Sequence, residues 1–137
     1  MTVPQPDEAT RLAALDRLGL MDTGSEAAFD RITELARHLF GTRLALITLV
    51  GAEHQWVKSR AGPEDAPQRI PRGDSFCTEL IADDAPLICE DAASDPRFRD
   101  KPLVCGEPGI RFYAGVPLRP EGDAIVGSLC LLDNSPG

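Results

Sequence analysis

The apolar run from Leu44 to Val50, LALITLV, constrains the fold of this chain more than any other feature. It is far shorter than the ~20 residues that cross a bilayer, and it ends at Gly51. An apolar residue at every position, without alternation, is typical of a strand that is covered on both faces. We therefore expect a central strand that lies between two layers of structure.

Two helices are expected before this strand, the first over residues 7–18 and the second over residues 24–40. Thr23 with Glu26 fits a capping box at the start of the second helix. Apolar residues then recur at three- and four-residue spacing until Gly41, which can end the helix. These helices form one of the two expected layers.

The rest of the chain is typical of antiparallel strands. His54–Arg60 follows the central strand closely enough to pair with it, Leu87–Glu90 is a short strand, and Arg111–Arg119 with Ile125–Asp133 forms a second hairpin. Pro117 cannot donate a ladder hydrogen bond, so its strand must have an edge or a bulge there. We expect an α+β domain with an antiparallel sheet of about five to six strands within residues 44–133.

Two connections, Ala61–Ala85 and Asp91–Gly109, are longer than hairpins require. Asp74 or Ser75 can cap a short helix in the first of them, and Ser94-Asp95-Pro96 is a helix-start signal in the second. Ala61–Gly73 and Lys101–Gly109 are expected to be irregular. Connections of this length in a compact domain are usually functional. We expect them to cover a pocket on the sheet.

Charge and cysteine content exclude several classes of protein. The net charge is -8, and its acidic residues are spread along the chain, which disfavours nucleic-acid binding. Residues 1–7 lack the pattern of a secretory signal, so we expect a cytoplasmic protein without a membrane partner. The two histidines complete no zinc spacing, and no metal is expected. Four free thiols are predicted, at Cys77, Cys89, Cys105 and Cys130.

Six segments resemble, in order and spacing, the GAF domains near the N-termini of bacterial sensor histidine kinases and diguanylate cyclases. They are FDRITELARHLF, QWVKSRAG, DSFCTELI, ICEDAASDPRFRDKPLV, IRFYAGVPL and GSLCLLD, and they make residues 1–137 one domain. The resemblance implies a GAF/PAS-like antiparallel sheet with the N-terminal helices on one face and a ligand pocket on the other, under loops and short helices. It also implies a sensory domain for an unidentified small molecule, in two-component or cyclic di-GMP signalling, with a kinase or cyclase output domain.

Family members usually continue past the last strand into a helix that packs with the first helix and often forms a parallel dimer. This chain stops at Gly137, so it is either a domain cut from a longer protein or a free-standing form. Without a closing helix, the apolar side of the first helix is expected to be partly uncovered, and such a patch marks an interaction surface. We predict a homodimer through the helical face.

Eight residues are candidates for ligand binding. Trp56 either stacks on a flat ligand or fills the core. Backbone amides at the start of the short helix can hold an anionic group. Arg111 either contacts an anionic or planar ligand or forms an ordinary tether to a carboxylate. The full set is Trp56, Ser75, Phe76, Cys77, Phe98, Arg111, Phe112 and Tyr113, and the sequence names no cofactor.

Other readings of the family remain open. Cys77 is either a reactive thiol or haem ligand at a helix start or a small apolar residue, and Cys105 is the thiol expected to be most exposed. Free methionine-(R)-sulfoxide reductases share the GAF fold, and both cysteines fall at or near positions where those enzymes carry cysteines. Their pocket acids are replaced here by Tyr113, Cys130 and Leu132, so we expect no enzyme activity.

A further alternative is a dimerisation module whose pocket is filled by its own side chains. Two other family functions fit poorly. The residues after Phe98, Arg99-Asp100-Lys101-Pro102, depart from the cyclic-nucleotide signature, and no cysteine neighbours a histidine as in bilin-binding relatives.

Overall fold

The computed structural model describes residues 8–24, 26–63, 68–83, 85–106, 109–120 and 124–136. The helices are α1 (Glu8–Leu18), α2 (Ala27–Phe40), α3 (Cys77–Asp83) and α4 (Pro102–Cys105). The strands are β1 (Leu44–Val50), β2 (His54–Ala61), β3 (Arg69–Pro71), β4 (Leu87–Cys89), β5 (Phe112–Leu118) and β6 (Gly127–Asp133). They form one antiparallel sheet in the order β3-β2-β1-β6-β5-β4, which confirms the predicted α+β class.

β1 is central and all of its residues are buried, as predicted. Successive side chains point to opposite faces of a strand. Leu44 and Leu46 therefore join the core under the two long connections, whereas Leu49 packs with α1. The sheet is covered on both faces, and we call these the cavity face and the helix face.

An irregularity in the β1–β2 pairing inserts Lys58 as an extra residue in β2. A bulge of this kind lets two successive side chains serve the same face. The buried Lys58 Nζ lies 2.5 Å from the Glu26 carboxylate and donates to Thr23 Oγ1 at 2.6 Å. Ser59 Oγ donates to Asp30 Oδ1 at 2.6 Å. Polar contacts thus hold α2 and the residues before it on β2.

These contacts replace the predicted capping box. Glu26 precedes α2 but makes no side-chain cap bond. Thr23 Oγ1 donates to the Leu20 carbonyl at 2.5 Å and accepts the bond from Lys58. The prediction of a capping box was wrong because Lys58, which is distant in sequence, binds both of the side chains that would have formed it.

Two short elements, β3 and α4, lie in connections that were expected to be irregular. β3 pairs with the first residues of β2, between His54 and Trp56. α4 begins at Pro102, whose missing N–H is no loss at the first position of a helix. Elements of three or four residues depend on tertiary contacts more than on local propensity, which explains why the pattern did not predict them.

The strand that contains Pro117 has an edge there and no bulge. The pairing of β5 with β6 runs through Pro117 without a register shift. β4 pairs with the segment of β5 from Tyr113 to Gly115, and no other described strand pairs with β5 on that side at Pro117. The missing N–H therefore costs no ladder bond.

The exposed apolar side chains of the helical layer belong to α2, not to the first helix as expected. α1 buries Ala14 and Leu15 against the helix face. On α2, Leu39 and Phe40 are 67% and 68% exposed. A groove of about 260 Å³ lies between Phe40 and the outer surface of the neighbouring strands. We call this surface the α2 groove, lined by Ala36, Phe40, Pro86, Ile88, Ala114, Gly115, Val116, Leu129 and Leu131.

In the part of the chain that the structure describes, no helix combines the length and the apolar character needed to cross a membrane.

Candidate functional site

A cavity of about 30 Å³ lies between the cavity face of the sheet and the two long connections. This is room for about two or three water-sized groups. Eight of its fourteen lining residues have apolar side chains, and a ninth is the buried Cys130. The other five carry hydroxyl, amide or thiol groups. Those five are Thr48, Gln55, Ser75, Cys77 and Tyr113.

The start of α3 is tied to β2 beside this cavity. Ser75 Oγ accepts a hydrogen bond from the backbone N–H of Cys77 at 2.9 Å, so it satisfies one of the free amides of the helix. The same hydroxyl donates to Gln55 Oε1. Ser75 therefore fixes the direction in which Phe76 and Cys77 enter the cavity.

Three buried aromatic rings close the cavity. Phe76 stacks nearly parallel on Tyr113, with ring centroids 4.7 Å apart, and its ring lies 4.8 Å from that of Phe98. Gly115 allows the position of Tyr113, because a Cβ there would lie 2.5 Å from the tyrosine Oη. The rings join both connections to β5, so the segments around Phe76 and Phe98 cover the sheet as expected.

Hydroxyl and thiol groups form a buried cluster at the base of the cavity. Cys77 Sγ lies 3.1 Å from Ser128 Oγ and 3.3 Å from Thr48 Oγ1. Tyr113 Oη is 3.7 Å from the same sulfur. Burial, and then the nearby Cys77, raises the pKa of Tyr113 and of Cys130 well above the ordinary values. Both groups are therefore neutral at physiological pH.

Four of the eight predicted ligand-binding residues line the cavity: Ser75, Phe76, Cys77 and Tyr113. Phe98 lies one layer further out, against Phe76.

The other three predicted residues lie elsewhere. Trp56 is on the helix face, where it packs with the α1 cluster and its Nε1 donates to the Thr23 carbonyl at 3.0 Å. Arg111 Nη1 donates to the carbonyls of Val104 and Ile110, so it tethers α4. Its partners are carbonyls and not the expected carboxylate. Phe112 pairs with the end of β6 and is not among the lining residues.

Sequence reasoning did not single out Gln55, Thr48, Leu103 or Ile110, all of which line the cavity. For Gln55 a signal existed. It stands two residues before the buried Val57 on the same strand, and residues at that spacing share a face. A polar side chain on the apolar face of a strand is an informative departure from the pattern.

The four cysteines are free thiols, as predicted. Cys105 is exposed on α4, whereas Cys89 is buried and its pKa is raised to about 11 by burial and by Asp95. Within the described ranges, no three His, Cys, Asp or Glu side chains come together as metal ligands.

Residues 25–137 match the family model of the GAF domain, and the chain belongs to this family. It is similar to a cyclic di-GMP phosphodiesterase of Pseudomonas aeruginosa, with 42% identity over 136 residues. That match covers 98% of this chain but only 23% of the phosphodiesterase.

Solved structures with low sequence identity show the same fold. A free methionine-R-sulfoxide reductase from Neisseria meningitidis matches with a TM-score of 0.65 and 18% identity, over 99% of this chain and 80% of that one. The GAF domain region of a putative membrane protein from Geobacter sulfurreducens matches with a TM-score of 0.61 and 19% identity, over 94% and 82%. Likeness at this level of identity supports the fold alone.

Proposed function

We propose that this domain is a cytoplasmic regulatory module of cyclic di-GMP signalling, in which a small ligand in the cavity alters pairing through the helical layer. The observation that carries the proposal is the enclosed cavity, whose polar lining residues stand on the strand that also holds α2. The domain itself catalyses no reaction in this proposal.

β2 supplies the physical link between the cavity and the helices. Its Gln55 and Val57 line the cavity, whereas Lys58 and Ser59 hold α2 and the residues before it. A ligand that shifts the backbone of β2 therefore changes the position of α2. Such a shift regulates the protein only if the ligand binds two arrangements with different affinity.

The occupant that we propose for the α2 groove is a second copy of this chain. Leu35, Leu39 and Phe40 on α2 are exposed together with Ile88 and Val116 on the outer strands. Contiguous apolar surface of this kind is typical of an interaction site. Because the exposed groups stand on a helix and on the strands beside it, two copies related by a two-fold axis can each bury the α2 of the other.

The output that we propose is a cyclic di-GMP phosphodiesterase in a longer protein. The relative that matches almost the whole of this chain is such an enzyme, and the match spans 23% of it. This favours a phosphodiesterase over the kinase and cyclase outputs that the resemblance also implied.

Methionine sulfoxide reduction is the rival function. The reductase reading needs acid groups beside a thiol, and the cavity lining holds no Asp, Glu or His side chain among the described residues. Cys77 lies between neutral hydroxyl groups. We expect no consumption of free methionine-R-sulfoxide in a thioredoxin-coupled assay, and measurable turnover would end the regulatory proposal.

A pocket filled by side chains is the second alternative, and the small cavity of about 30 Å³ favours it over binding of a large ligand. A thermal-shift screen against amino acids, purines, haem and small uncharged metabolites separates the two. Binding to the native state alone raises the melting temperature. A ligand that raises it and changes the mass in solution supports regulation, whereas no shift with any compound supports the filled pocket.

The dimer is tested by replacing Leu39 with Glu. We expect light scattering to give the mass of a dimer for the unmodified chain. For Leu39→Glu we expect a dimer dissociation constant at least ~10-fold higher. Ala52→Glu adds the same charge at the exposed turn between β1 and β2 and is the matched control. A monomeric mass for the unmodified chain at high concentration would contradict the proposal.

A further inference from the structure

We infer that the cavity is selective for uncharged ligands of a few heavy atoms that carry an acceptor oxygen, and that Gln55 is the residue that recognises this oxygen. The inference rests on the proposed function and specifies its ligand class.

The cavity holds no compensation for a charged ligand. None of the fourteen lining residues in the described part of the chain is an Asp, Glu, His, Lys or Arg. The nearby cations are used elsewhere: Arg111 donates to the backbone carbonyls of Val104 and Ile110, and Lys101 donates to the Gly73 carbonyl at 2.8 Å on the outer surface. An ion moved from water into such a site loses its hydration without gaining a partner of opposite charge.

Gln55 supplies an unused donor in this neutral lining. Its side chain is 7% exposed, and its Oε1 accepts the bond from Ser75. Among the residues that the structure describes, none accepts a hydrogen bond from its Nε2 amide. Because Gln55 lines the cavity, this amide can donate to a carbonyl or hydroxyl oxygen of a ligand there.

The neighbouring hydroxyl groups already have partners. Thr48 Oγ1 lies 2.9 Å from Ser128 Oγ, and Ser75 Oγ accepts from the Cys77 amide while donating to Gln55. Recognition therefore falls to the Gln55 amide, and most of the remaining lining is aromatic or aliphatic.

The cavity volume limits the ligand. About 30 Å³ accommodates about two to four heavy atoms without displacement of Phe76. Ligands of this size bind no tighter than about 10⁻⁵ M, because each atom contributes a limited free energy. The domain would then respond to a compound present at high micromolar to millimolar concentration.

Three probes test the charge rule: acetamide, acetate and acetamidinium share one planar skeleton and are neutral, anionic and cationic. Each is titrated to about 100 mM at constant ionic strength while the side-chain amide signals of the glutamines are followed by NMR. We expect saturable shifts of the Gln55 amide with acetamide, and binding at least ~100-fold weaker for the two ions. Equal binding of either ion, or no saturable shift with acetamide, overturns the inference.

Substitutions at Gln55 test its role. Gln55→Glu keeps the shape of the side chain but introduces a carboxylate. We expect it to weaken the binding of acetamide and to strengthen the binding of acetamidinium, each by ~10-fold or more. Gln55→Met keeps a neutral side chain but removes the hydrogen-bond donor, and we expect it to weaken the binding of acetamide ~10-fold. This variant tests the role of Gln55 even if Gln55→Glu does not fold. Ala52→Glu, which adds the same charge at the exposed turn between β1 and β2, is the control. An unchanged acetamide affinity in Gln55→Met would refute the assignment.

The outcomes separate this inference from the proposed function. If acetamide binds as expected but no ligand changes the dimer, the ligand class stands and the regulatory role fails. If charged compounds bind the cavity and change the dimer, the regulatory role stands and the charge rule fails.

Discussion

The two faces of the sheet are held together by different forces. On the cavity face, rings and aliphatic side chains surround a few neutral hydroxyl, amide and thiol groups, and no ion pair lines the cavity in the described residues. On the helix face, buried cations add to the apolar cluster around α1: Lys58 pairs with Glu26, and Arg11 pairs with Glu8 and donates to three backbone carbonyls. Charge-assisted hydrogen bonds therefore supplement packing on the helix face, whereas the cavity face depends on shape.

This difference suits the regulatory role that we propose. A neutral, closely packed face discriminates ligands by size and polarity, since any mismatch leaves a void or an unpaired group. The helix face has directional contacts with defined partners, so it is suited to moving as a unit. β2 belongs to both faces, with Gln55 on one side and Lys58 on the other.

The largest expected effect is the removal of a buried ring on the cavity face, compared with the removal of an exposed ring on α2. Phe76 is buried between Tyr113 and Phe98, so Phe76→Ala is expected to lower the free energy of unfolding by about 3–5 kcal/mol. Phe40 is 68% exposed, and Phe40→Ala is expected to change the free energy of unfolding by less than about 0.5 kcal/mol. Urea unfolding is measured at concentrations where both variants are monomeric, since Phe40 lies in the α2 groove. Similar losses in both variants would contradict the contrast between the faces.

The next effect tests the charged contacts. Arg11 is buried and donates to the carbonyls of Val50 at 2.6 Å and of Ile125 at 3.3 Å. Arg11→Met keeps much of the apolar volume but leaves these carbonyls without a donor, so we expect a loss of about 2–4 kcal/mol in urea unfolding. Arg31→Met, the same change at an exposed position of α2, is the control and should cost less than about 0.5 kcal/mol. If the two variants lose the same stability, charged contacts do not hold the helix face.

Sequence patterns predicted the parts of the molecule that depend on hydrophobic periodicity. Leu44–Val50 was predicted as the buried central strand because its apolar run has no exposed side. Ser75, Phe76 and Cys77 were placed at the pocket because a helix start after a long connection has a recognisable composition.

Contacts distant in sequence explain what the patterns missed. Lys58 is a charged residue that local rules place on the surface, yet a bulge and three partners allow it to be buried. Arg111 was expected beside a ligand or a carboxylate, but it donates to the carbonyls of Ile110 and of Val104 in α4, a helix that the pattern did not predict. Trp56 is adjacent to cavity residues in sequence and lies on the other face because strand side chains alternate.

The smallest effect concerns Glu8, which joins α1 to the segment that leads into α3. Its carboxylate contacts both Arg11 and Arg72, and these partners lower its pKa to about 2. A carboxylate with a lowered pKa stabilises the fold above its unfolded pKa, and this stability is lost as pH falls through the folded pKa. The loss is therefore expected between about pH 4.5 and pH 2.

Because Glu8 is half exposed, solvent screens the contribution to about 1 kcal/mol or less. The measurement is urea unfolding of the unmodified chain and of Glu8→Gln at several pH values. The variant should be less stable at about pH 7, and the difference should shrink below about pH 4.5 and approach zero as pH falls through about 2. Other acids titrate equally in both proteins and cancel in the difference. A difference that stays constant with pH would mean that Glu8 contributes through packing and not through its charge, and the contrast between a neutral and a charged face would then end at Arg11.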